Sequence, residues 1–210
     1  MGDEIVGVDT AEELRKILGE VAPRVAGKAK QALGPIHKEW IDASPLYFIS
    51  TVSAAGHVDI SPKGDPSGSV LVLDDKTIVL PERPGNRRAD GFHNILENPR
   101  AGLIFLLPGR GDTLRVSGSA RLVQDAPFFD QLAIRGRRPA LALIVHVEST
   151  FFHCSKAFLR SDFWDASTWT PDVMPSRAKI SKALERTDER LEDLEAYYGD
   201  AYRKKLYEDT

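Results

Sequence analysis

The 210-residue sequence contains a single cysteine, Cys154, so no disulfide can form within the chain. That agrees with a reducing compartment. The acidic, periodic amino terminus MGDEIVGVDTAEELRKILGE has no basic flank, apolar block or small-residue cleavage site, and the expectation is cytoplasmic residence. No apolar run approaches the roughly 18–20 residues that span a bilayer, which argues against a membrane protein. A formal net charge of -3 gives no general attraction for nucleic acid or anionic lipid, so an anion must be bound locally. The histidines show neither HxxxH nor HExxH spacing, and one cysteine excludes CxxC, so no dedicated metal site is expected. No GxSxG elbow and no GxGxxG after a strand are present, and PGRGDT reads as a hairpin loop. A lone cysteine is most often a small buried hydrophobe, which is the expectation for Cys154.

What is present describes one soluble globular domain with terminal additions: 42% of residues are hydrophobic and 28% charged. From Thr10 to about Leu33 the residues Leu14, Ile17, Leu18, Val21 and Val25 recur at helical spacing, with Thr10 and Glu13 as a capping pair and Pro23 as an interruption. PIHKEWIDAS predicts a second helix ending before Pro45. The period then changes. LYFISTVSAAGHVDISPKG alternates around an Ala-Gly turn as a β-hairpin does, and GSVLVLDD, KTIVLPE, RAGLIFLLPG, TLRVSGSARLVQ and ALIVHVESTFFHCS continue as strands separated by turn residues. With one helix, GFHNILENPR, among them, these strands suit a small antiparallel barrel. Ile180, Leu184, Leu191, Leu194, Tyr198 and Tyr202 form a stripe that predicts an amphipathic helical tail packing on the barrel or on a partner subunit. The expected organisation is a helical segment at 1–45 packing on the barrel, a barrel at 46–165 and a helical tail at 166–210.

Three stretches carry possible chemistry. In PGNRRAD, Asn86, Arg87 and Arg88 fall where a strand hands over to a helix, placing two guanidinium forks beside helix-start N–H groups. A phosphate monoester suits such a turn; the alternative is two surface arginines pairing with Asp90 and Glu97. In VDISPKGD, Lys63 beside Ser61 and Pro62 offers a cation and a hydroxyl, and Pro62 removes a ladder donor, which suggests a sheet edge; a surface turn lysine is the plainer reading. In DTLRVSGSARL, a polar row at period two reads as a solvent face, with Thr113 at its entrance nearest to a site.

Taken in order, SPKGD, PGNRR, NPR, TLRV and HCSKA resemble the pyridoxamine 5'-phosphate oxidase-related flavoproteins, and within them a subgroup described as FMN-dependent enzymes. The resemblance covers roughly residues 37 to 165. It implies a mainly β fold with flanking helices, an FMN-binding split β-barrel of six to eight antiparallel strands, and helical extensions at both termini. It also implies a homodimer with FMN at the interface. The family's phosphate-binding triplet matches Asn86, Arg87 and Arg88. Its strand against the flavin ring matches Ile60, Ser61 and Pro62, with Lys63 near the ring's polar edge. A Tyr-Thr pair falls at Pro81 and Glu82, a glutamine at Thr113, and a Trp and Arg reaching across the dimer have His153 and Arg160 as nearest matches. The vitamin B6 substrate set of Tyr, Arg and Ser and the terminal Arg-x-His are missing, which disfavours pyridoxamine phosphate as substrate. The resemblance thus implies an FMN-dependent oxidoreductase with a small-molecule electron donor or acceptor and no required side-chain acid or base. The alternatives are a flavin carrier or sensor without turnover, or a binder of F420 or haem on the same fold.

Overall fold

The computed structural model describes residues 5–200, 202, 206 and 207. Residues 1–4 of the expected segment 1–45, and 201, 203–205 and 208–210 of the expected tail, lie outside the described residues. Helix α1 (Ala11–Leu18) starts at Thr10, whose hydroxyl accepts from the Glu13 N–H at 3.2 Å while the Glu13 carboxylate accepts from the Thr10 N–H at 3.2 Å. It stops at Gly19, whose φ of +75° few other residues adopt readily, so the interruption falls before Pro23. Pro23 instead opens the short α2 (Pro23–Ala26). Neither helix buries a residue, and Ile17 and Leu18 are 65% and 66% exposed. Within 1–45, α3 (Pro35–Ala43) provides the packing, inserting Trp40 and Ile41 into the core.

Strands β1 (Leu46–Val52) and β2 (Val58–Gly64) form the expected hairpin, in register from Leu46↔Gly64 to Val52↔Val58. Strands β3 (Leu71–Val72) and β4 (Thr77–Pro81), helix α4 (Asp90–Glu97), and strands β5 (Arg100–Leu106), β6 (Thr113–Val123) and β7 (Ala142–His153) follow. All seven strands join one antiparallel sheet in the order β2-β1-β5-β6-β7-β4-β3. Strand alternation sends Tyr47 and Ile49, Leu103 and Phe105, and Leu114 and Val116 to the same buried face. Burying each such side chain contributes about 1.5–3 kcal/mol. The β6–β7 register shifts between Ser117 and Gly118, which leaves Glu148 outside the ladder. Glu148 turns to Arg100 and forms a two-pronged ion pair at 2.6 and 2.7 Å.

One end of the sheet, β2, meets the end of β4 that β3 leaves uncovered. β2 and β4 are not ladder neighbours. Yet Lys63 Nζ lies 2.5 Å from Glu82 Oε2, just past β4, and Arg83 Nε lies 2.6 Å from Asp65 Oδ2, just past β2. The sheet has therefore curled until side chains, rather than backbone hydrogen bonds, join its margins.

After β7 come α5 (Lys156–Arg160), α6 (Arg177–Leu184) and α7 (Leu191–Tyr197). The expected helical tail is present as two helices: the Ser181 carbonyl accepts from both the Glu185 and Arg186 N–H groups, ending α6, and Arg186 then binds Glu189. The break folds α7 back on α6, and this hairpin buries Leu194, Ala178 and Ser181. Leu184, one of the expected stripe, is 77% exposed. Cys154, expected to be buried, is exposed, because it follows the last residue of β7. Among the described residues no helix is long and apolar enough to cross a membrane.

Candidate functional site

The curl leaves a cleft of about 1000 Å³. Its floor is the inward face of β1, Tyr47, Ile49 and Thr51, and β2 forms one wall through Ser61, Pro62 and Lys63. Pro81, Glu82 and Arg83 form the facing wall, and the turn 84–89 and the start of α4 close one side. Gly91 is where α4 comes closest: a Cβ there would lie 3.2 Å from Asp59 Oδ2 and 3.3 Å from Thr51 Oγ1. One turn on, the Asn94 amide donates to Thr51 Oγ1 at 3.0 Å and fixes the helix to the floor.

The turn holds two non-glycine residues in the left-handed region, Arg87 at φ 60° and Ala89 at φ 56°. Such conformations cost about 1–3 kcal/mol each and cluster where a loop must present groups to a ligand. The Asn86 side-chain oxygen accepts from the Arg88 N–H at 3.1 Å, which shapes the turn and leaves the Asn86 amide N–H groups to donate elsewhere. Arg88 binds Asp90 at 2.8 Å, and that bond, more than charge alone, raises its already high pKa. So one of the surface pairs considered from the sequence exists. The other does not, because Glu97 accepts from the Ala54 N–H at 3.1 Å. Arg87 lines the cleft and makes no ion pair among the described residues.

Lys63 is held between Glu82 and the ring of Phe92, whose centroid is 5.2 Å from its ammonium. The Arg83–Asp65 pair is better shielded, at 14% and 11% side-chain exposure, and Arg83 Nη2 is buried without a hydrogen-bond partner among the described residues. The Tyr207 hydroxyl donates to the second Asp65 oxygen at 3.0 Å, and its pKa is raised by burial first and then by that bond. Tyr47, 5% exposed, has its hydroxyl pKa pushed far up, by burial above all and then by the negative charges of Glu82 and Asp65.

Ser61, Pro62, Lys63, Pro81, Glu82, Asn86, Arg87 and Arg88 all line this cleft, so three separate motifs converge. Ile60 does not. Strand alternation turns it to the outer face of β2, where it is 65% exposed. Thr113 is buried opposite His153 across β6 and β7, and Arg160 closes α5; none of the three lines the cleft. Tyr47, Asp65, Arg83, Phe92 and Tyr207 line it without having been singled out from the sequence. Asp65 closes the SPKGD motif, Arg83 adjoins PGNRR, and the alternation of β1 puts Tyr47 on the inward face, so three of the five left a readable signal. Among the described residues no group of three or more His, Cys, Asp or Glu side chains is placed to hold a metal ion.

A family model described as pyridoxamine 5'-phosphate oxidase matches residues 33–154, more than half of the sequence. The chain belongs to the pyridoxamine 5'-phosphate oxidase family. Its curled seven-stranded sheet with flanking helices is the split barrel of that family. No curated protein matches the chain. Among solved structures, HupZ from Group A Streptococcus is similar at 24% identity with a TM-score of 0.46, covering 57% of this chain and 93% of that one. An FMN-binding protein from Syntrophomonas wolfei subsp. wolfei is similar at 14% identity and a TM-score of 0.42, covering 57% and 89%. At these values the ligands of those proteins do not transfer to this member of the pyridoxamine 5'-phosphate oxidase family.

Proposed function

We propose that the chain binds FMN in this cleft and acts as an FMN-dependent oxidoreductase on a substrate other than pyridoxamine phosphate. The observation that supports it most is Arg87, a guanidinium without an ion-pair partner among the described residues, held in a left-handed turn at the edge of a ligand-sized cleft. The donor set fits the group. Arg87, Arg88 and the Asn86 amide would hold the phosphate, and the β2 wall with Lys63 would face the polar edge of the ring. Bound FMN would supply hydride or electron transfer. Tyr47 and Ile49 give the floor an apolar body that excludes water from beneath a flat ring, and α4, tied to Thr51, keeps that floor rigid. Lys63, held by Glu82, can stabilise negative charge at an oxygen of the ring without moving a proton.

The reading includes a second copy of the chain, which would bring His153 and Arg160 to the partner's cleft. The plainer fate of an unpaired arginine is a solvated turn, and the distinction is measurable. An absorbance spectrum of freshly purified protein, before and after FMN and removal of excess, should show bands near ~375 and ~450 nm, the signature expected of a bound flavin. A flat trace that FMN leaves unchanged refutes the proposal. Bands without oxidation of NADH or NADPH in the presence of an electron acceptor would favour a carrier. Among the described residues no histidine of the same copy lines the cleft, so an imidazole for haem there would have to come from His153 of the second copy.

A further inference from the structure

Two polar groups in the cleft have no acceptor among the described residues. Arg83 Nη2 is buried and unpartnered, although the same guanidinium binds Asp65 through Nε. The Tyr47 side chain is more than nine-tenths buried, lines the cleft, and has no hydrogen-bond partner among the described residues. Leaving the buried Arg83 donor unsatisfied costs about 1–3 kcal/mol, more because it is charged, whereas the Tyr47 hydroxyl opens on the cleft and stands ready to donate there. Neither residue is there by accident of packing alone. Tyr47 stands opposite Lys63 in the β1–β2 register, and the charges of Glu82, Asp65 and Arg83 act on its hydroxyl. A phenylalanine would make the same 5.2 Å ring contact with Phe105 and would leave no hydroxyl without a partner. Burial and the two carboxylates keep the phenol protonated across the working pH range, so it is a donor there.

We infer that the Tyr47 hydroxyl and Arg83 Nη2 form a donor pair for a planar oxygen acceptor of the ligand, a carbonyl or a carboxylate, set apart from the phosphate turn at 86–88. The inference rests on the cleft being a ligand site, but not on that ligand being FMN. Two sources carry this chemistry, a ring carbonyl of the cofactor or the carboxylate of a substrate, and one pair of titrations separates them.

Tyr47→Phe removes only the hydroxyl. Arg83→Lys keeps a cation facing Asp65 and removes the planar fork, so it guards against a result peculiar to the first variant. The full-length chain and both variants are titrated with FMN, followed by flavin fluorescence, and with benzoate, followed by calorimetry. The expected result is about a tenfold loss of affinity in each variant for one of the two probes, the size of a single hydrogen bond. The ligand-free melting temperature of Tyr47→Phe should be unchanged or higher, because no protein contact is lost. Loss confined to FMN assigns the pair to a ring carbonyl, and loss confined to benzoate assigns it to a substrate carboxylate. If both variants bind both probes within about twofold of the parent, or the parent binds neither, the inference fails. A parent that refuses FMN but loses benzoate affinity on Tyr47→Phe would sink the flavin reading and leave the donor pair standing.

Discussion

Gly118→Ala tests whether the close approach of β6 and β7 at their register shift is needed for the stability of the fold. A Cβ at Gly118 would lie 1.8 Å from the His146 carbonyl oxygen and 2.9 Å from its carbonyl carbon. Ordinary contact needs about 3.4 Å, so the two strands would have to part by more than an ångström. Parting there breaks about two or three ladder hydrogen bonds at about 1 kcal/mol each, and loosens the packing of Val116, Val145 and Val147 beside them. Together these come to roughly 3–5 kcal/mol, in the range reserved for a few mechanisms of severe destabilisation. For a chain of this length each kcal/mol lowers the melting temperature by about 2–4 °C, so a fall of roughly 6–20 °C is expected. The assay is thermal unfolding of ligand-free protein followed by circular dichroism. Gly102→Ala is the control, since a Cβ there would meet nothing within 4 Å. If Gly118→Ala melts within about 2 °C of the parent, the register shift is incidental and this account of the β6–β7 seam is wrong.

Other perturbations separate the roles of neighbouring residues. Arg87→Ala should weaken FMN binding about ten- to hundredfold, and more than Arg88→Ala, whose guanidinium already has Asp90; equal effects in fluorescence titration would contradict the pairing described. Glu82→Gln should lower the melting temperature by a few degrees at low salt and by less at high salt, because it removes one of the two ion pairs closing the sheet. His37 accepts from the Gly34 N–H through Nδ1 at 2.9 Å, and burial lowers its pKa. Its folded pKa lies below the unfolded value, so its contribution is complete above the unfolded pKa and is lost as the pH falls from about 6.5 through the lower folded value. His37→Gln, an untitratable acceptor at the same helix position, should flatten that part of the stability–pH profile; an unchanged slope in urea titrations would refute the assignment.

The strands were legible because each one alternates and is bounded by turn residues, and those patterns are local. The convergence of SPKGD with PGNRR needed the motif order as well, since nothing in either stretch alone says that β2 and the segment after β4 meet. Tyr47 and Arg83 escaped notice for a related reason. One reads as an ordinary inward strand residue and the other as a charge next to a proline, and only the folded chain shows that neither has found an acceptor. The stripe showed a helical tail but not its break, because helical spacing records which residues are buried, not whether the helix is continuous. The Glu185–Arg190 segment reverses direction while keeping Leu194 on the buried side. Ile60 lies on the outer face of β2 away from the cleft, whereas Pro62 on the same face still borders it, which alternation alone does not foretell.

A barrel closed by backbone hydrogen bonds offers a ligand no handle on its closure. In this chain the closing contacts are Lys63 with Glu82 and Arg83 with Asp65, and all four side chains also line the cleft. A ligand that reaches either cation must share it with its carboxylate or draw it away. Occupancy and the fastening of β2 are thus a single equilibrium seen from two sides. Amide exchange along Val58–Gly64 should register ligand binding even at residues the ligand never touches.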